Sequence, residues 1–356
     1  MTVLRFRGPV LPEEESRDVY VVDGVITYEP QAGAVTAASG WLVSGLVDAH
    51  NHLGLEDHGA IADDEIVDQA LLDRDAGALL LRDCGSPADT SWVHGRDELP
   101  RLVRAGRHVA RTRRYIRNYG AEVEPDGLVD AVREQARRGD GWVKLVGDWI
   151  SRDEGDLAPS FGSDDFAQAI EAAHAEGARV TAHCFGRDVL PGLLDAGIDC
   201  IEHGTGLGTD HLETMVARGV ALVPTVQQTA KFPQFAADGR EKFPDYSATM
   251  DELYARRRDV LMQAWEAGVG MYVGTDGGGA ARHGEIAGEI EAMVAMGLPA
   301  ADVVAAASWK AREWLGFDGL TEGASADFVV YDADPRLDLS TLRRPVRVVL
   351  RGAVVA

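Results

Sequence analysis

The chain has 356 residues, 46% hydrophobic and 26% charged, enough for one large domain or a barrel with a small appended domain. With 58 acidic against 35 basic residues the formal charge is -23, a field that disfavours nucleic acid and anionic membrane partners. No stretch is long and apolar enough to span a bilayer, Met1 to Gly24 holds no signal-peptide core, and the three cysteines form no CxxC pair, so a reducing, cytoplasmic location is expected.

In chain order, Val19–Val22, the turn Asp23-Gly24 and Val25–Tyr28 predict a hairpin. From Gly45 the rhythm changes to short apolar runs alternating with helical periods. Strands are predicted at Gly45–Ala49, Ala78–Cys84, Val109–Ile116, Trp142–Val146, Arg179–His183, Ile198–His203, Ala221–Thr225 and Gly270–Thr275. Helices fall between them, at Glu65–Arg74, Asp126–Arg138, Asp164–Glu176, Asp188–Asp195, Asp210–Ala217 and Asp251–Glu266, many followed by a glycine stop. After Asp327–Tyr331 and Val346–Leu350 the chain ends on a further turn. Eight strands alternating with helices predict an α/β fold, a closed (β/α)8 TIM barrel over 44–321, with an open doubly wound sheet as the competitor. The segments 1–43 and 322–356 are expected to meet in a small β-sandwich domain.

The chemistry concentrates at strand ends. His50 and His52 are two residues apart on one strand and so project from one face, where both can ligate a single metal ion. His183, His203 and Asp276 each close an apolar run, at the end of the strands where barrel active sites are built. Lys144 lies inside the apolar run Trp142–Val146, where an amine must be paired or neutralised. Position alone favours a salt bridge to a carboxylate. Beside four inward histidines, a carbamate on the amine, whose two oxygens suit two divalent ions, becomes the preferred reading. The other histidines, His94, His108, His174 and His211, read as loop or helix-surface residues, and His58 and His283 as solvated loop residues that lie nearer the site.

Together Gly45–His52, Arg82-Asp83-Cys84-Gly85, Trp142–Leu145, Ala182-His183, Ile201–Gly204, Gly274–Asp276, Glu322-Gly323, Ala326–Val330 and Asp334-Pro335 resemble the amidohydrolase superfamily, in its imidazolonepropionase-like and prolidase-like branch. The resemblance covers nearly the whole chain. It implies a binuclear centre: His50, His52 and Asp276 on the more buried metal, His183 and His203 on the other, N-carboxylated Lys144 and a hydroxide between, with zinc as the ion that suits an imidazole-rich set. Where such proteins carry a Gly- and His-rich loop after the third strand, this chain reads Arg117-Asn118-Tyr119-Gly120, which offers Tyr119 as a substitute donor to the substrate carbonyl. Asp276 is then the catalytic proton carrier, and Arg282 and His283, just past it, are candidate substrate contacts. The implied activity is hydrolysis of a non-aromatic C–N amide bond in a small peptide-like or cyclic amide. A mononuclear aminohydrolase on His50, His52, His183 and Asp276, and a non-catalytic scaffold, are the alternatives. The expected partner is a small-molecule substrate, and homo-oligomerisation is left open. The segment Gln227–Met250, with Phe232, Phe235, Phe243 and Tyr246, reads either as a lid over a partly apolar site or as a packed surface excursion.

Overall fold

The computed structural model describes residues 3–356. Near the N-terminus, Leu4–Val10 pairs antiparallel with Glu15–Val22, which pairs in turn with Val25–Thr27. The turn between the last two strands uses positive φ at both Asp23 and Gly24, the backbone a two-residue hairpin turn requires. Trp41–Ser44 runs antiparallel to Phe328–Tyr331, and Arg347–Leu350 adds beside it. Both chain ends therefore share one eight-stranded sheet. Its apolar side buries Phe6 edge-on against Phe328, with Val19, Ile26, Leu42 and Val349 around them.

The central strands are parallel and form two arcs. One arc holds Leu46–Glu56, Ala78–Asp83 and Arg101–Arg104 with the short Gly277–Gly279 at its edge. The other runs Val109–Arg111, Trp142–Val146, Arg179–Cys184, Cys200–His203 and Ala221–Val223, with Ala121–Val123 at its edge. Backbone bonds join them. Tyr272 N–H donates to the Leu222 carbonyl, Ala49 N–H to Val273 and Asp276 N–H to His50, so 271–276 lies between the last strand of one arc and the first of the other. At the opposite side Asp140 N–H donates to the Arg104 carbonyl. Helices including Asp63–Asp75, Leu128–Arg138, Ser163–Ala175, Thr209–Arg218 and Pro244–Ala267 alternate with these strands in the sequence. Gly219 and Gly268 end theirs in the left-handed conformation, whereas Gly139 ends its helix in an extended one. No helix among the described residues is long and apolar enough to cross a membrane.

Two predicted strands differ from expectation, and of Gly270–Thr275 only Met271 pairs, in a single bridge to Leu222. Of Val109–Ile116 only Val109–Arg111 is extended in a sheet, and the neighbour of Ala78–Asp83 is Arg101–Arg104. Positive φ at Arg113 and Asn118 turns the chain after the short strand, and the Arg114 guanidinium donates to the carbonyls of Trp149 and Ala158. In Arg101–Arg104 two apolar residues stand between arginines whose charges are met by Asp327 and Asp140, so the apolar run is too short to announce a strand.

Asp327 ties the terminal sheet to this region. Its buried carboxylate accepts from Arg101 Nε at 2.5 Å and the Arg351 backbone N–H at 2.7 Å, with the buried Arg312 guanidinium 3.5 Å away. Burial opposes its charge, but the arginines outweigh that and hold its carboxyl below the usual range. Asp327→Ala leaves buried Arg312 without its carboxylate and is expected to cost roughly 3–5 kcal/mol, measured as a fall in the urea midpoint at constant slope.

Candidate metal centre

On the strand Leu46–Glu56, alternation turns His50 and His52 the same way and Asn51 the opposite way, where it donates to Asp48 and Asp73. Asp48 fastens this strand to the segment that carries Asp276. It accepts from the backbone N–H and the hydroxyl of Thr275 and from the His50 N–H. Burial and the neighbouring Asp73 charge push the Asp48 carboxyl up to about 6, and the Thr275 and Asn51 donors oppose the rise.

The result is a tight triangle. His50 Nε2 lies 3.0 Å and His52 Nε2 3.1 Å from Asp276 Oδ1, and the two nitrogens are 3.1 Å apart. His52 Nδ1 faces the Gly85 carbonyl at 2.7 Å and must donate to it, so the lone pair of a neutral His52 sits on Nε2 and points at an anionic oxygen. Burial lowers the His50 pKa, favouring its neutral form too. Burial also opposes the charge on Asp276, but His50, His52 and His203 outweigh it and hold that carboxyl well below its ordinary value. Three electron-rich atoms at this spacing repel one another, and one proton cannot bond to all three. A divalent cation with ligand distances of about 2.0–2.2 Å satisfies them together. The residues thus fit a metal.

A second pair of imidazoles adjoins the triangle. His203 Nε2 faces His183 Nδ1 at 2.9 Å, and His203 Nδ1 is held by the Thr225 hydroxyl at 2.6 Å. Burial drives His203 down to about 3 and His183 well below its usual value, so both rings are neutral. His203, Thr225 and Asp276 all have positive φ, a backbone state that costs non-glycine residues of order 1–3 kcal/mol and clusters at functional sites.

Lys144 is buried and its amine is ion-paired with Glu202. Thr181 Oγ1 donates to the same carboxylate at 2.7 Å, and Arg82 lies 3.7 Å from it. Burial lowers the Lys144 pKa and raises that of Glu202; their mutual attraction reverses both, with His50 and Arg82 also acting on Glu202.

Beyond these residues opens a cavity of about 420 Å³, lined in part by Tyr115, Tyr119, Trp149, Phe185, Phe235 and Tyr246. His50, His52, Lys144, His183, His203 and Asp276 form its floor. Tyr119, a sequence candidate, is in the wall. The structure does not bring Arg282 or His283 into it. Arg282 is exposed, and His283 turns to Asp73, 2.8 Å away and buried with it. His108, read from sequence as a loop residue, is also a correction: it is 0% exposed and stacks on His52 with ring centroids 4.9 Å apart. His211, likewise buried, accepts from the Gly208 N–H, far from the cavity lining. Sequence reasoning missed Tyr115, Trp149 and Glu202. Only Glu202 carried a signal, a charged residue within an apolar strand run. From the lid segment, Phe235 and Tyr246 line the cavity, while Phe232 packs on Phe185 instead.

Residues 41–355 match the model of the Amidohydrolase family. The chain is 52% identical over 351 residues to an uncharacterized protein of Mycobacterium tuberculosis, covering 98% of this chain and 95% of that one. It is 26% identical over 223 residues to ochratoxinase of Aspergillus niger, covering 60% of this chain and 45% of the ochratoxinase. A crystal structure of a Xaa-Pro dipeptidase with bound methionine superposes with a TM-score of 0.82 at 20% identity, covering 99% of both chains, which is a likeness of fold. The chain belongs to the amidohydrolase family and stands among hydrolases that act on amides.

The His283–Asp73 pair has a pH signature. Burial lowers the His283 pKa, but Asp73 outweighs it and the net shift is upward from 6.5. Such a pair contributes fully below the unfolded pKa and fades as pH rises through the higher folded value. The stability gap between wild type and His283→Asn is therefore expected to be larger at pH 6 than at pH 9 in denaturant titrations. Equal gaps would remove the charged pair.

Proposed function

We propose that this protein is a metal-dependent hydrolase that cleaves a non-aromatic amide C–N bond in a small peptide-like or cyclic amide. The observation that carries the reading is the triangle of His50 Nε2, His52 Nε2 and Asp276 Oδ1, three lone-pair donors within 3.1 Å of one another at the floor of a cavity. The same reading takes the two arcs as one (β/α)8 barrel over 44–321, supported by the backbone bonds on either side of 271–276, and the segments 1–43 and 322–356 as a separate small β-domain.

In this proposal His50, His52 and Asp276 hold one divalent ion and His183 and His203 a second. Lys144, if released from Glu202 and N-carboxylated, would supply both ions with a further anionic ligand. Zinc suits the donor set. When bound, the ions supply a hydroxide at neutral pH and polarise the substrate carbonyl. Asp276 takes the nucleophile's proton and passes it to the departing nitrogen. The Gly85 carbonyl and the Thr225 hydroxyl fix the rings of His52 and His203. Tyr115 and Tyr119 present phenols to the cavity. Burial raises both, Tyr119 to about 12 and Tyr115 well above its ordinary value, so each stays protonated and able to donate to a developing oxyanion. Tyr115 lies beside the second imidazole pair, its ring 5.9 Å from that of His183.

One observation favours a second reading, a mononuclear aminohydrolase on His50, His52, His183 and Asp276: the Lys144 amine is paired with Glu202 and so not free to carry a carboxylate.

Chelation is expected to abolish amide hydrolysis and zinc to restore it, with two metals per chain in the wild type and fewer in Lys144→Ala. An unchanged count of two in that variant would remove the bridging role, and activity that ignores chelators would end the metal-dependent reading. Tyr115→Phe is expected to lower kcat by about 100- to 1,000-fold with little change in KM, and Tyr119→Phe by less. The reverse order would make Tyr119 the oxyanion donor.

A further inference from the structure

The cavity over the metal centre is unusual in its charge. Its wall is aromatic and apolar, built from Trp149, Phe185, Phe235 and Tyr246. The charged residues that line it, apart from the histidines, are Lys144, Asp276 and Asp57. Lys144 is on the floor and committed to Glu202, and Asp276 belongs to the ligand triangle. That leaves Asp57, an anion, on the approach.

No arginine, and no lysine besides Lys144, lines the cavity. Arg114 donates to the carbonyls of Trp149 and Ala158, at 3.0 and 2.9 Å. Lys231 is outside the lining and its amine is held at the rim by the carbonyl of lining Ala280, 3.3 Å away, and exposed Arg282 is outside the lining too. A dipeptide carries a carboxylate one carbon from the scissile nitrogen. Drawn into this cavity, that group loses its water and finds aromatic faces and Asp57 rather than an arginine fork. The whole-chain charge of -23 repels it on approach as well.

We infer that this site takes uncharged, largely apolar amides and discriminates against substrates with a carboxylate beside the scissile bond. This rests on the amide-hydrolase reading above and narrows its substrate class from peptide-like amides in general to those without a free carboxylate. Aromatic acyl or amine portions pack on Trp149, Phe185, Phe235 and Tyr246. Hydrolysis adds water across the C–N bond and releases a carboxylate and an aliphatic amine that is protonated at neutral pH, so this wall holds both charged products less well than the neutral amide.

The test uses three matched compounds on the zinc-loaded protein: N-benzoylpyrrolidine, N-benzoyl-L-prolinamide and N-benzoyl-L-proline. Binding is followed by calorimetry and cleavage by release of benzoate. The two uncharged amides are expected to bind at least ~10-fold more tightly than the acid, a difference equivalent to about 1.4 kcal/mol. Ile116→Arg, which places a guanidinium in the lining, is expected to close that gap by improving binding of N-benzoyl-L-proline alone. Equal or tighter binding of the acid by the wild type overturns the inference, as does binding of none of the three. The two readings separate cleanly. Cleavage that favours the acid sinks this inference and leaves an amide hydrolase; tight binding of the neutral amides with no chelator-sensitive cleavage keeps the pocket's selectivity and sinks the hydrolase.

Discussion

The structure is organised around electron-rich atoms held closer together than they would choose. The Asp276 carboxylate and the ring nitrogens of His50 and His52 crowd one another where the strand Leu46–Glu56 runs beside the segment 271–276, and only positive charge between them relieves the repulsion. Much of what surrounds them holds that crowding in place. Asp48 clamps that strand to the segment by accepting from Thr275 and His50. The Gly85 carbonyl fixes the tautomer of His52, and Thr225 restrains His203. The left-handed backbone at His203, Thr225 and Asp276 is strain that the neighbouring strands impose so that the side chains meet. A ligand set prepared in this way needs little rearrangement when its ion arrives.

Beneath it lies a buried charge network. Lys144, Glu202 and Arg82 sit together in the interior, with Arg82 stacked 4.7 Å from the Trp142 ring and bonded to the Ala49 carbonyl. Buried ions of this kind add little net stability, but removing one leaves the others unpaired in a medium that solvates them poorly. Glu202 precedes His203 on its strand and projects into this network, so the network and the ligand set share a backbone. Any change in the charge on Lys144 is therefore felt through Glu202 at the strand that carries His203.

How much of this was legible in the sequence follows from where each residue lies. His50, His52, His183, His203 and Asp276 each close an apolar run, and strand alternation together with the alternating helices was enough to bring them to one end of the parallel strands. Lys144 was readable because an amine inside an apolar strand demands an explanation. Glu202 offered the same signal and was overshadowed by the histidine beside it. Tyr115 and His108 were not readable. They lie in the segment between Arg101–Arg104 and Leu128–Arg138, where turns at Arg113 and Asn118 leave no period, and only the folded chain shows them at His183 and His52. The third strand failed for a related reason: two apolar residues between arginines look like surface until Asp327 and Asp140 meet the charges. The aromatic lid was visible as composition. Which of its rings reach the cavity depends on how the helices Phe232–Gly239 and Pro244–Ala267 dock, and composition says nothing of that.

The shared terminal sheet has a consequence for biosynthesis. Trp41–Ser44 is made well before its antiparallel neighbour Phe328–Tyr331, with all the parallel strands between them. Until then the N-terminal strands wait with an unpaired edge and an uncovered Phe6, conditions that invite association between nascent chains. This sheet therefore cannot be completed until the intervening strands and helices have been made, and that edge has to be sheltered for as long as they take to emerge.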